Sequence, residues 1–225
     1  MTSETSTEER LAARLRGFGA LGLLSILIIL GGNFLFSPLS AILVVGWVSL
    51  SRTPWREIGY VRPRSWTRTL AIGIVFGVAF KFLMKAIVMP LLGGPPINQA
   101  YHWVTGNPAA LPAMLFLLII VAGWGEETLY RGWMFERLGK LLGTSVWART
   151  SIVVLTSVVF ALPHYVDQGI AGVEQALMTG LVFGTIFALT GRIFLLMVLH
   201  AAFDLAALAM IYWNFESAVA HFFFK

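Results

Sequence analysis

The stretch GWGEETLYRGW, residues 123–133, follows twelve uncharged residues and places Glu126, Glu127 and Arg131 where a membrane span would still be running. An ionised side chain at mid-bilayer costs about 2.5–3.5 kcal/mol on insertion scales, so such residues face a cavity or a partner. On an α-helix Glu127 and Arg131 are four apart with the acid first, the favourable order for a pair. Glu126 is turned about 100° away and is left free for a cavity. The plainer alternative is an interfacial anchor near Arg137 and Lys140. Two further groups are of the same kind. Phe160 and His164 lie four apart in VVFALPHYVD, with Pro163 interrupting the backbone ladder beside the histidine. His200 and Asp204 share a helix face inside LLMVLHAAFDLAAL, far from any charged flank. A carboxylate with one imidazole can activate water, while a second imidazole and a hydrogen-bonding neighbour can stabilise an oxyanion. The same residues Glu126, His164 and His200 could bind zinc, or the set could relay protons. There is no HExxH, no G-x-S-x-G and no phosphate-binding glycine loop.

The elements that must hold these groups are apolar. Of 225 residues 58% are hydrophobic and 12% charged, about half the charge of a soluble domain. Apolar runs fall near 17–36, 38–50, 69–92, 111–125, 144–163, 173–190 and 193–213. The reading is an all-α polytopic transmembrane bundle of six to eight helices enclosing a cavity, with 17–36 an uncleaved first span and the short second run tilted or paired with it. Arginines gather before the first run and at 52–68, which puts the N-terminus and that loop in the cytoplasm and describes membrane topology, not a nucleic-acid footprint. The absence of cysteine removes thiolate chemistry. The spacings Gly73–Gly77 and Gly180–Gly184 allow close helix approach. Lys81 and Lys85 receive no chemistry: snorkelling, a wet cavity and acidic lipid all suit them. One tension follows from these boundaries. Glu126 falls about 22 Å along a helix beginning at 111, whereas His164 falls at the far end of one beginning at 144.

In this order the three groups resemble the type II CAAX protease and bacteriocin-processing (CPBP) family, whose pattern is EExxxR, FxxxH and HxxxN or HxxxD on successive membrane helices. The chain reads Glu126-Glu127-Thr-Leu-Tyr-Arg131, Phe160-Ala-Leu-Pro-His164 and His200-Ala-Ala-Phe-Asp204, and the resemblance covers roughly 110–210. Charge and hydropathy make 1–16 a polar cytoplasmic leader and 17–105 N-terminal transmembrane helices, and the resemblance implies a catalytic core over 106–225. It implies a glutamate-type intramembrane endopeptidase without cofactor, zinc being the alternative. Glu126 would be the base on water, His164 would hold and polarise it, and His200 with Asp204 would stabilise the oxyanion. Glu127 and Arg131 would fix the helix, and Phe160 would pack against the site. An ionised aspartate cannot donate to an oxyanion, so Asp204 must carry a proton or orient His200 by accepting its ring N–H, and the orienting role is preferred. The expected partners are a peptide or protein substrate, lipidated or not, and membrane lipid; nucleic acid is not expected. The small size and brief soluble regions resemble a bacterial member in the plasma membrane. A catalytically inert scaffold and a proton-coupled transporter are the non-enzymatic readings, the latter lacking the repeated broken helices of alternating access.

Overall fold

The computed structural model describes residues 7–35 and 37–224, so the first six residues of the expected leader lie outside the described residues. Among the described residues all regular structure is helical. Helix α1 (Thr7–Arg16) meets α2 (Ala20–Leu35) at a bend of 61°, and α3 (Ser37–Leu50) follows. Then come α4 (Trp66–Leu91), α5 (Pro108–Leu142), α6 (Val146–Ala161), α7 (Tyr165–Thr190), α8 (Ile193–Tyr212) and the short α9 (Glu216–Ala220). Helices α2 to α8 form the bundle, within the six to eight expected. Their outer faces carry exposed Leu27, Val75, Leu155 and Leu189, an apolar surface that suits lipid and not water. The chain is an integral membrane protein.

Helix α5 is the centre of the bundle, with α3 on one side and α8 on another. Its Leu129, Tyr130 and Trp133 pack with Val44, Trp47 and Val48 of α3. On the far side, Phe183 and Phe187 of α7 pack with Leu196, Leu199 and Phe203 of α8 and Met84 of α4. The short second run does pair with the first: Ser40 Oγ donates to the Ile29 carbonyl at 2.5 Å.

The glycine spacings mark real contacts. A Cβ on Gly77 would stand 2.4 Å from the Leu199 carbonyl oxygen, so α4 and α8 touch backbone to backbone. Gly77→Leu is therefore expected to force the two helices apart at a cost of about 1–3 kcal/mol, read as a lowered unfolding temperature in detergent. An unchanged melting curve would refute the contact. On α7, a Cβ at Gly180 would meet Ser157 Cβ at 2.9 Å, and one at Gly184 would meet Val153 Cγ1 at 3.2 Å. These pairings run in opposite directions along the chain, so α6 and α7 form an antiparallel hairpin. The reversal lies between Pro163 and Gly169, whose φ of 62° and ψ of −155° suit only glycine. Sequence left 164–172 between two runs, whereas the structure makes most of it helical.

The helix that carries the first motif extends well past its apolar run, and this removes the depth tension. The apolar run ending at 125 continues as helix to Leu142, because Arg131, Arg137 and Lys140 all find partners and the charged face need not stop it. Glu126 and His164 then stand nearly equidistant from the turn at 143–145 and reach the same height. From Leu117 to Trp133 the backbone also bonds in the i→i+5 pattern of a π-helix. This form is wider and advances less per residue than an α-helix, and it recurs near functional sites. Here it carries the whole of the first motif.

The Arg-rich loop is more than a solvated connector. Its Tyr60 turns back into the bundle, where the hydroxyl accepts from Trp124 Nε1 at 2.9 Å and pairs with Thr128 Oγ1 at 2.7 Å. Burial pushes the Tyr60 hydroxyl above its ordinary pKa, against the opposing effect of those two hydrogen bonds. The loop thereby braces α5 at residues two positions to either side of Glu126. At the same end of the bundle Arg137 donates to the Arg16 carbonyl at 2.8 Å and lies 4.5 Å over Trp47.

Candidate active site

The two neighbouring glutamates of α5 have opposite environments. Glu127 is 0% exposed, and its Oε1 accepts from Arg131 Nη1 at 3.0 Å and from His200 Nδ1 at 2.7 Å. The Arg131 guanidinium lies 4.4 Å from the centre of the Phe160 ring and 5.6 Å from that of Phe183, so it is held between two aromatic faces. Glu126 points the other way, into a cavity of about 310 Å³.

The other motifs reach the same cavity from α8 and from the α6–α7 turn. His200 Nε2 stands 3.4 Å from Asp204 Oδ2 and 3.7 Å from Glu126 Oε2. His164 Nδ1 donates to the Phe160 carbonyl at 3.0 Å, which fixes the ring and leaves Nε2 as its other nitrogen. Pro163 makes this possible, since the short 3₁₀ turn at Leu162–His164 swings the imidazole off the α6 axis. Phe160 packs edge-on against His164 and His200, at centroid distances of 5.0 and 6.0 Å. Glu126, Phe160, His164, His200 and Asp204 all line the cavity, whereas Glu127 and Arg131 lie behind its wall.

One pairing differs from the preferred reading. The carboxylate that accepts from Nδ1 of His200 is Glu127, while Asp204 faces Nε2 beside Glu126. Periodicity pairs Glu127 with Arg131 on its own helix but cannot see that the same oxygen also reaches α8. Glu127 therefore links Arg131 to His200 in one buried chain.

The cavity also has walls that the motifs do not announce. Tyr130, whose hydroxyl is 3.5 Å from Asn33 Nδ2, lines it, as do Lys81, Asn98, Gln168 and Gln175. Tyr130 could have been found one α-helical turn beyond Glu126; Lys81 showed only as a polar residue in an apolar run; the amides gave no signal. Among the described residues no three His, Asp or Glu side chains converge as metal ligands. The Nδ1 bonds of His164 to the Phe160 carbonyl and of His200 to Glu127 leave Nε2 as the other nitrogen of each ring.

A bundle of lipid-facing helices around a cavity of carboxylates and imidazoles defines a polytopic membrane protein with a polar cavity inside it. Residues 108–206 match the model of the family described as Type II CAAX prenyl endopeptidase Rce1-like, so that stretch of the chain is similar to the family. The match spans all three motifs, begins where α5 begins and ends just past Asp204. The similarity read from the motifs thus holds over nearly the segment expected, and it is a similarity to a protease family. No curated protein and no solved structure matches the chain.

Proposed function

We propose that the chain is an intramembrane endopeptidase that hydrolyses a peptide bond near the C-terminus of a membrane-associated protein or peptide. The observation that carries this reading is the meeting of Glu126, His164, His200 and Asp204, from separate parts of the fold, on one cavity. Glu126 takes a proton from a water that His164 Nε2 helps to hold, and the resulting hydroxide attacks the scissile carbonyl carbon. The carbonyl oxygen gains negative charge next to His200 Nε2–H, whose ring is fixed by the Nδ1 bond to Glu127. Glu126 then returns its proton to the departing amine as the C–N bond breaks. No covalent acyl-enzyme forms, and no step needs a metal. Turnover is accordingly expected to persist unchanged in the presence of a strong chelator, and its loss, with recovery on adding zinc, would overturn the metal-free reaction.

Asp204 sits where an asparagine would present an amide N–H to the same oxyanion. Since Glu127 already orients His200, Asp204→Asn is expected to keep kcat/KM within about tenfold of wild type, the size of one modest hydrogen-bond change. A fall beyond a hundredfold would return the orienting role to Asp204. The arginines of α1 and of the 52–68 loop support a cytoplasmic N-terminus.

The deciding experiment is mass spectrometry of protein termini from cells carrying wild type or Glu126→Gln at matched expression. Termini present only with the wild type are expected, and they give substrate and cleavage position together. Identical termini in cells that make the native partners would favour a scaffold or a transporter.

A further inference from the structure

Lys81 and Lys85 sit four apart on α4 and look equivalent in sequence, but the structure separates them. Lys85 is neutralised: its Nζ is 3.1 Å from Glu216 Oε1, and Glu216 also accepts from the Asn98 backbone N–H at 3.3 Å. Lys81 is equally buried, at 7% exposure, yet its Nζ donates only to the amide oxygen of Gln175, at 3.0 Å, and lies 4.7 Å from the centre of the Phe203 ring. Among the described residues no carboxylate stands within ion-pair distance of it; Asp204, Lys85 and Glu216 act on it only from farther away. It is also the single lysine or arginine among the described residues lining the catalytic cavity, which otherwise presents Glu126, Asp167 and Asp204.

A buried ammonium has three donors, and here one is used by a neutral amide. Leaving such a charge without an anion is costly in a membrane bundle, and an anion brought by a ligand repairs it. The wall beside Lys81 suits a peptide. Gln175, Gln168 and Asn98 offer amide donors and acceptors to an extended backbone, and Asn98 Nδ2 donates to Gln168 Oε1 at 3.3 Å. A second cavity of about 150 Å³ shares those three residues and continues the polar trough away from the catalytic groups.

We propose that Lys81 binds the terminal carboxylate of the peptide seated in this cavity, so that a free C-terminus fixes which bond reaches Glu126. This rests on the endopeptidase reading above. It makes Lys81 a specificity-determining residue and limits the substrate to chains whose C-terminus can enter the bundle.

The test uses full-length protein and one synthetic peptide spanning the cleavage site found by the terminal mass spectrometry, made with a free C-terminal carboxylate and again with a C-terminal amide. Wild type is expected to prefer the free acid by about tenfold to a hundredfold in kcat/KM, the range of a charge-assisted hydrogen bond. In Lys81→Met that ratio should collapse to about one, and in Lys81→Arg it should persist, which separates recognition from simple misfolding. Binding of the two peptides to Glu126→Gln protein should show the same preference without turnover. If Lys81→Met slows both peptides but keeps the ratio, or if wild type never distinguishes them, the inference fails while the protease reading stands. If wild type opens neither peptide, the protease reading fails and takes this inference with it.

Discussion

Glu126→Gln is expected to lower kcat by about 10²–10⁴-fold, the contribution of a positioned general base, while leaving KM and the melting temperature near wild type. The side chain keeps its size and still hydrogen-bonds, so the cavity is not reshaped. What is lost is the basic oxygen that removes a proton from water and later returns it to the amine. The fold is indifferent because Glu126 takes no part in the buried chain of Arg131, Glu127 and His200; its one close approach is 3.7 Å, to His200 Nε2. Steady-state kinetics on the purified protein, paired with thermal unfolding, check both halves of the expectation. A variant that loses activity only by melting would make Glu126 structural. One that keeps activity would remove it from the chemistry.

The contrast between Glu126 and Glu127 shows how far sequence could reach. Spacing alone assigned Glu127 to Arg131 and Glu126 to a cavity, because helical periodicity fixes which residues share a face, and the structure agrees. The all-helical architecture was legible for the same reason: long apolar runs leave a chain no other way to satisfy its backbone in lipid. What escaped depends on long-range contact. The hydrogen bond from His200 to Glu127 joins residues seventy-three apart. The return of Tyr60 into the bundle hides inside an Arg-rich loop that reads as solvated. The apolar run of α5 stops at 125, yet its helix continues to Leu142 because the charged residues beyond are paired inside the protein. The π-helix over the first motif leaves no compositional trace. Lys81 and Lys85 differ only in their neighbours, and those neighbours lie on α7 and α9.

Arg131→Met tests the other half of the site, its foundation. Arg131 and Glu127 are 1% and 0% exposed, so the methionine would fill apolar space between Phe160 and Phe183 while leaving the buried Glu127 carboxylate with His200 as its one remaining partner. Removing one partner of such a pair costs about 3–5 kcal/mol, a large fraction of the stability of a small domain. The damage should extend to catalysis, because Glu127 is also what holds Nδ1 of His200, and a glutamate freed from Arg131 has no other cation on its own helix turn. A marked fall in unfolding temperature together with lost turnover is therefore expected, in contrast to Glu126→Gln, where turnover falls alone. The double variant Glu127→Gln with Arg131→Met removes the stranded charge and keeps an acceptor for His200. It should recover much of the stability, since replacing both members of a buried pair is often near neutral. If the double variant is no more stable than Arg131→Met, the loss lies in packing against the two phenylalanines and not in the uncompensated carboxylate. Thermal unfolding of the three proteins in one detergent separates the two causes.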